Sequence, residues 1–191
     1  MKKHRISIKW NSPVILIIDG VCVAAFVADT LTDGMANTII FSTYHSSLLN
    51  PLTYTRFFTH VFGHEGLDHL LSNMVYLLLL GPMVEEKYGS EKTAVVIAVT
   101  AFATGIINYF FFPGDALCGA SGVCFAFILL SSLTNFKKGE IPLTFIIVAV
   151  FFFGQQIVDS FTGPEDISYM AHIVGGITGA VFGFKVNNKG R

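Results

Sequence analysis

Six long apolar runs divide this chain, and they restrict what it can become more than any other feature. They lie at residues 13–31, 69–86, 93–112, 120–134, 141–157 and 169–185. A helix needs about 20 apolar residues to cross the hydrocarbon of a bilayer. Lipid offers the backbone no hydrogen-bond partner, so a segment that crosses must satisfy itself as a helix. The expectation is an all-α membrane protein with six transmembrane helices. Composition agrees, with 52% hydrophobic and 13% charged residues and a mean hydropathy of +0.62. No repeat, low-complexity stretch or linker divides the 191 residues, so residues 1–191 read as one membrane domain.

Charge placement predicts the orientation. The basic residues are Lys2, Lys3, Arg5, Lys9, Arg56, Lys87, Lys92, Lys137, Lys138, Lys185, Lys189 and Arg191. With six spans and a cytoplasmic N-terminus, all but Arg56 fall in the cytoplasm, while Asp115, Glu165 and Asp166 occupy the opposite loops. That is the positive-inside pattern, and it sets both termini in the cytoplasm. A basic stretch followed by residues 14–28 has the outline of a signal peptide. Asp19 interrupts its apolar part and cleavage would leave five spans, so the first run is expected to remain a span. A net charge of −1 offers nothing to nucleic acid. Cys22, Cys118 and Cys124 have no metal-like spacing, and Cys22 and Cys124 read as small packing residues.

Polar side chains inside the runs carry the functional signal, because placing them in hydrocarbon is costly. Ser121 sits in Gly119-Ala120-Ser121-Gly122, and His172 sits in Ala171-His172-Ile173-Val174-Gly175. Depth follows from counting to the basic flank of each run. Ser121 to Asn135 and Asn73 to Lys87 are each fourteen residues, and His172 to Lys185 is thirteen. At 1.5 Å per residue each is ~20 Å of helix, so the three residues reach one plane. In a core of ~30 Å that plane lies ~10 Å below the outer surface. His69 stands one turn above Asn73 on the same face. A hydroxyl nucleophile beside a base that takes its proton is the minimum equipment for acyl transfer. A serine alone in an apolar helix usually bonds its own backbone. Glycines at 175, 176, 179 and 183 read as close helix packing, which would bring the fourth and sixth runs together.

In these motifs the chain resembles the rhomboid intramembrane serine proteases in their six-span bacterial form, from about residue 56 to 183. The resemblance implies that Ser121 is the nucleophile and His172 its base. It matches His60, His64 and His69-Leu70-Leu71-Ser72-Asn73 to the family's second-span motif, and Glu85-Glu86-Lys87-Tyr88-Gly89 to its Glu-x-x-x-Gly. It implies a structured, partly inserted first outer loop, a bacterial inner-membrane location, no cofactor or metal, and single-span membrane proteins as substrates. Two positions depart. Thr55-Arg56 stands where the family often has Trp-Arg, and Phe125 where many members have the Tyr that stacks on the catalytic histidine.

With no carboxylate at the depth of His172, a Ser121–His172 dyad is expected rather than a triad. Asn73, His69 and the Ser121 backbone N–H are the candidate oxyanion donors. His60 and His64 either extend a polar, water-admitting wall or are ordinary hydrogen-bonded loop histidines. Glu85 reads as a structural anchor, and Gly119, Gly122, Gly175 and Gly179 as close-packing positions. The bulky Phe151-Phe152-Phe153 suits a lipid-facing or loosely packed fifth span, a candidate gate, with a mobile loop at 159–168 above it. Two other classes fit the residues less well. His60, His64 and His69 as a metal site fails on spacing, because His69 follows His64 by five residues, not four. A non-catalytic relative that binds membrane clients would lack the serine or the histidine, and both are here.

Overall fold

The computed structural model describes residues 9–134, 140–162 and 168–189. Lys2, Lys3, Arg5, Asn135, Lys137, Lys138, Glu165, Asp166 and Arg191, which figure above, lie outside the described residues, as do residues 163–167 of the expected mobile loop. The α-helices in order are α1 (Pro13–Leu31), α2 (Pro51–Thr59), α3 (Leu67–Tyr88), α4 (Ser90–Phe111), α5 (Ser121–Ser131), α6 (Leu143–Thr162) and α7 (Ser168–Lys189). A π-helical turn (Asn37–Phe41) and a 3-10 turn (His60–Phe62) flank α2. No β-strand forms among the described residues, only one isolated bridge, Thr43 with Leu117.

Five helices, α1, α3, α4, α6 and α7, are long and apolar enough to cross a membrane. The fourth run does not form the helix expected over 120–134. Its helix, α5, has 11 residues, or about 17 Å. It is short because it is enclosed by protein: Ala126, Phe127, Leu129 and Leu130 are all 0% exposed. Non-helical backbone at membrane depth is tolerated where protein surrounds it. The depth count through Asn135 therefore does not hold as a helical distance. The fifth helix begins at Leu143 rather than 141, because Pro142 disfavours helix in the residue before it. It also runs to Thr162, past the expected end at 157. Asp159 is thus helical, and the loop expected over 159–168 is shorter by its first four residues.

Small residues set the packing. A Cβ on Gly175 would lie 2.0 Å from the Gly122 carbonyl oxygen, and one on Gly179 2.1 Å from that of Ala126. α5 and α7 therefore touch backbone to backbone, as small residues permit in membranes. At Gly81 of α3 a Cβ would lie 2.5 Å from Ile15 of α1. Glu85 ties the same two helices together. Its carboxylate accepts from the Val14 and Ile15 N–H groups at 3.1 and 3.2 Å and from the Ser90 hydroxyl at 2.6 Å. It thus caps the unsatisfied N-terminal donors of α1 from a neighbouring helix. By contrast, among the described helices α6 rests only on α7 and α5. Phe151 is 76% exposed as expected of a lipid-facing residue, but Phe152 is buried, packed on Phe125 and under Gly176. The three phenylalanines therefore do not form one lipid-facing surface. At helical spacing consecutive residues point in different directions.

The segment between α1 and α3 is structured and holds the segment that leads into α5. Thr43 and Leu117 exchange backbone hydrogen bonds at 2.9 Å. The Asn108 amide donates to Thr43 O at 2.9 Å and Asp115 O at 3.3 Å. Arg56 is buried, donating from Nε to Ile39 O at 2.8 Å. Its guanidinium lies 4.5 Å from the centre of the Tyr44 ring. An aromatic partner for Arg56 is thus present, from Tyr44 rather than from position 55, and the contact is a cation–π interaction.

Candidate active site

Three helices supply the site. α3 brings His69, Ser72, Asn73 and Tyr76, and α5 brings Ser121, Cys124 and Phe125. From α7 come Tyr169 and His172, all around a cavity of about 310 Å³. Ser121 is the first residue of α5, and the loop before it is pinned by the Gly119 N–H donating to His60 O at 2.9 Å. Gly119 has φ +121°, and a Cβ there would lie 2.7 Å from the His69 ring. Both the backbone conformation and the space demand glycine. Gly122, one position past the serine, lets α7 approach so that Ser121 and His172 face the same cavity.

Asn73 is held in place while its amide nitrogen stays available. The Cys124 thiol lies 3.5 Å from its backbone oxygen and 3.7 Å from Oδ1. Its Nδ2, by contrast, is buried with no hydrogen-bond partner among the described residues. A buried, unpaired donor group is costly and calls for an explanation. His172 is held on two sides. Phe125 packs on its ring at 4.1 Å between centroids, tilted by 47°. Its Nδ1 lies 2.8 Å from Gln156 Oε1 of α6.

The other histidines are built differently. His60 is fully buried, with Nδ1 3.1 Å from Arg56 O and Nε2 3.1 Å from the Thr104 hydroxyl. The carbonyl accepts, so Nδ1 carries the proton and Nε2 is left to accept from Thr104. His64 is also buried, with Nδ1 3.2 Å from Phe62 O and its ring edge-on to His69 at 5.0 Å. Burial lowers the pKa of both to about 4, so both are neutral at pH 7. His69 lines the cavity, and His64 packs behind it. His60 stands apart, between α2 and α4.

Of the residues singled out in the sequence, Ser121, His172, Asn73, His69 and Phe125 line one cavity. Gly119 and Gly122 flank the serine. Gly175 and Gly179 lie at the α5–α7 contact, and Glu85 caps α1 well away from the cavity. Gln156 was missed. Its signal was present, since two adjacent glutamines in an apolar run must find partners. The sequence did not say which one points inward.

Comparison with known proteins agrees with this architecture. The Rhomboid domain family matches residues 51–189. The chain is 31% identical to Rhomboid-related protein 1 of Caenorhabditis elegans over 142 residues, 69% of this chain and 39% of that protein. It is 25% identical to the Rhomboid protease GlpG of Haemophilus influenzae over 175 residues, 90% of this chain and 89% of that one. With the GlpG of Salmonella choleraesuis it shares 32% identity over 114 residues, 60% of this chain and 41% of that one. It therefore spans less than half of the first and third proteins and most of the second. A domain match over more than half the chain, on several membrane-spanning helices, makes this an integral, multi-pass membrane protein of the rhomboid family.

Proposed function

We propose that this protein is an intramembrane serine endopeptidase that cuts single-span membrane proteins near the outer side of the bilayer. The termini are cytoplasmic and the membrane is the bacterial inner membrane. The observation that carries the reading is one cavity lined by Ser121, His172 and Asn73, whose buried Nδ2 has no partner among the described residues. Those are a nucleophile, a base and a donor with no other partner. Relatives named as rhomboid proteases support it.

In this reading neutral His172 takes the Ser121 proton as the oxygen attacks a peptide carbonyl. The tetrahedral oxyanion is met by Asn73 Nδ2, His69 and the Ser121 N–H. His172 returns its proton to the leaving amine, and water then hydrolyses the acyl-enzyme with His172 again as base. Substrate enters from lipid past α6, the helix least held by the bundle.

Fluorophosphonate labelling and cleavage of a single-span substrate by the purified protein test this. The wild type labels and cleaves, while Ser121→Ala and His172→Ala are folded and inactive. Turnover by Ser121→Ala, or a wild type that neither labels nor cleaves, removes the reading; the second result would leave a client-binding protein.

A further inference from the structure

His172 acts as a base only if its free lone pair is on the nitrogen that faces Ser121. An imidazole carries one proton when neutral, and the partner of one nitrogen decides which nitrogen holds it. Gln156 Oε1 sits 2.8 Å from Nδ1, and an amide oxygen only accepts. The proton is therefore on Nδ1, and Nε2 keeps its lone pair. Gln156 is 5% exposed, although it belongs to the helix with the smallest buried share among the membrane-spanning ones. Its neighbour Gln155 faces outward. The ring of His172 is thus held through its face by Phe125 and through its edge by Gln156, with Phe152 backing Phe125 at 4.5 Å.

We propose that Gln156 is a positioning residue for His172, fixing the tautomer and orientation in which it serves as base, and that α6 must be seated for this to happen. The proposal rests on the serine-protease reading above. A neutral amide suits the place. It orients the ring as a carboxylate would, without the desolvation cost of a charge at membrane depth. Because Gln156 rides on α6, moving that helix aside to admit a substrate also releases His172. Chemistry then waits for α6 to return, which keeps the base unaligned while the site is open.

The titratable groups that share the cavity with His172 are His69 and Tyr76 of α3, Cys124 of α5 and Tyr169 of α7. No Asp or Glu lines it among the described residues. Asp159, one turn beyond Gln156, borders a separate groove with Phe151 and Gln155. A carboxylate introduced at position 156 would thus be the only one at the cavity among the described residues.

The test uses purified full-length protein with a transmembrane substrate and a small soluble ester that reaches Ser121 from water. Gln156→Leu keeps the volume and removes the acceptor. Its kcat is expected to fall on the order of 10²-fold on both substrates, with KM nearly unchanged, as for a misaligned catalytic group. Gln156→Glu keeps an acceptor and is expected to stay more active than Gln156→Leu. Its charge stabilises the imidazolium, so the acid limb of kcat/KM moves upward by roughly 1 pH unit or more. A change in packing alone would not move that limb in this way. Full kcat in Gln156→Leu, or an unmoved acid limb in Gln156→Glu, overturns the proposal. If Gln156→Leu fails to fold, the pH profile of Gln156→Glu decides. An inactive Ser121→Ala beside a fully active Gln156→Leu defeats the positioning role alone, whereas an active Ser121→Ala defeats the protease reading beneath it.

Discussion

Asn73 shows how one residue can be both fixed and available. Its two oxygens sit against the Cys124 thiol, and its buried amide nitrogen beside the serine's cavity has no partner among the described residues. An oxyanion donor acts on charge that appears only in the transition state. Asn73→Ala is therefore expected to lower kcat about 10²–10³-fold while KM changes little, which steady-state kinetics on the soluble ester will show. A pure KM effect would reassign Asn73 to substrate docking. That Ser121, His172, Asn73 and His69 share a site was legible in the sequence, because each is a polar residue at a depth where polarity must have a reason. Which atoms are already partnered was not, since that depends on Cys124 and Gln156 arriving from other helices.

Between elements, α5 and α7 form the tightest contact and α6 the loosest. Gly179→Val is expected to force α7 away from α5, because even its Cβ would fall 2.1 Å from the Ala126 carbonyl oxygen. Overpacking of this kind costs about 1–3 kcal/mol, occasionally more, and the melting temperature in detergent should fall with activity. An unchanged melting temperature in an inactive Gly179→Val would contradict that structural role. The opposite property belongs to α6, which contacts α7 and α5 but not α3. Cysteines in α6 and α3 joined by a bifunctional thiol reagent, because the two helices are too far apart for a disulfide, are expected to block the transmembrane substrate and spare the soluble ester. If the cross-link inhibits neither, α6 does not admit the substrate. The glycines of α7 announced close packing in advance, but the short α5 was hidden. Its sequence is apolar enough for a span, and only enclosure by other helices lets a span stop at 11 residues.

For the molecule as a whole, the buried histidines predict a pH dependence of stability. His60 and His64 are neutral with pKa about 4 when folded, against an ordinary value near 6.5 when unfolded. Below pH ~6.5 the unfolded chain binds more protons than the folded one, so stability falls as the pH drops toward ~4. The slope is at most about 1.4 kcal/mol per pH unit for each histidine. Thermal unfolding between pH 7 and 4.5 is expected to show the midpoint falling with acidification, and His60→Gln to flatten part of that slope. A flat midpoint over this range would mean that neither histidine is held neutral by the fold.

The sequence alone determined the solvent in which the chain folds and where its polar residues break the apolar runs. Six apolar runs required a helical membrane protein, because hydrocarbon leaves the backbone no other choice. The polar residues that broke those runs, Ser121, His172, Asn73 and His69, are the ones that line one cavity. Tertiary structure decided what depends on approach between distant segments. It set the length of α5, the turn of Phe152 inward and of Phe151 outward, and the capping of α1 by Glu85. It also supplied an aromatic partner for Arg56 from Tyr44 and an acceptor for His172 from Gln156. Periodicity and polarity are properties of one segment and can be read along the chain. A hydrogen bond between helices depends on where both helices stand, and the linear order of residues does not contain that.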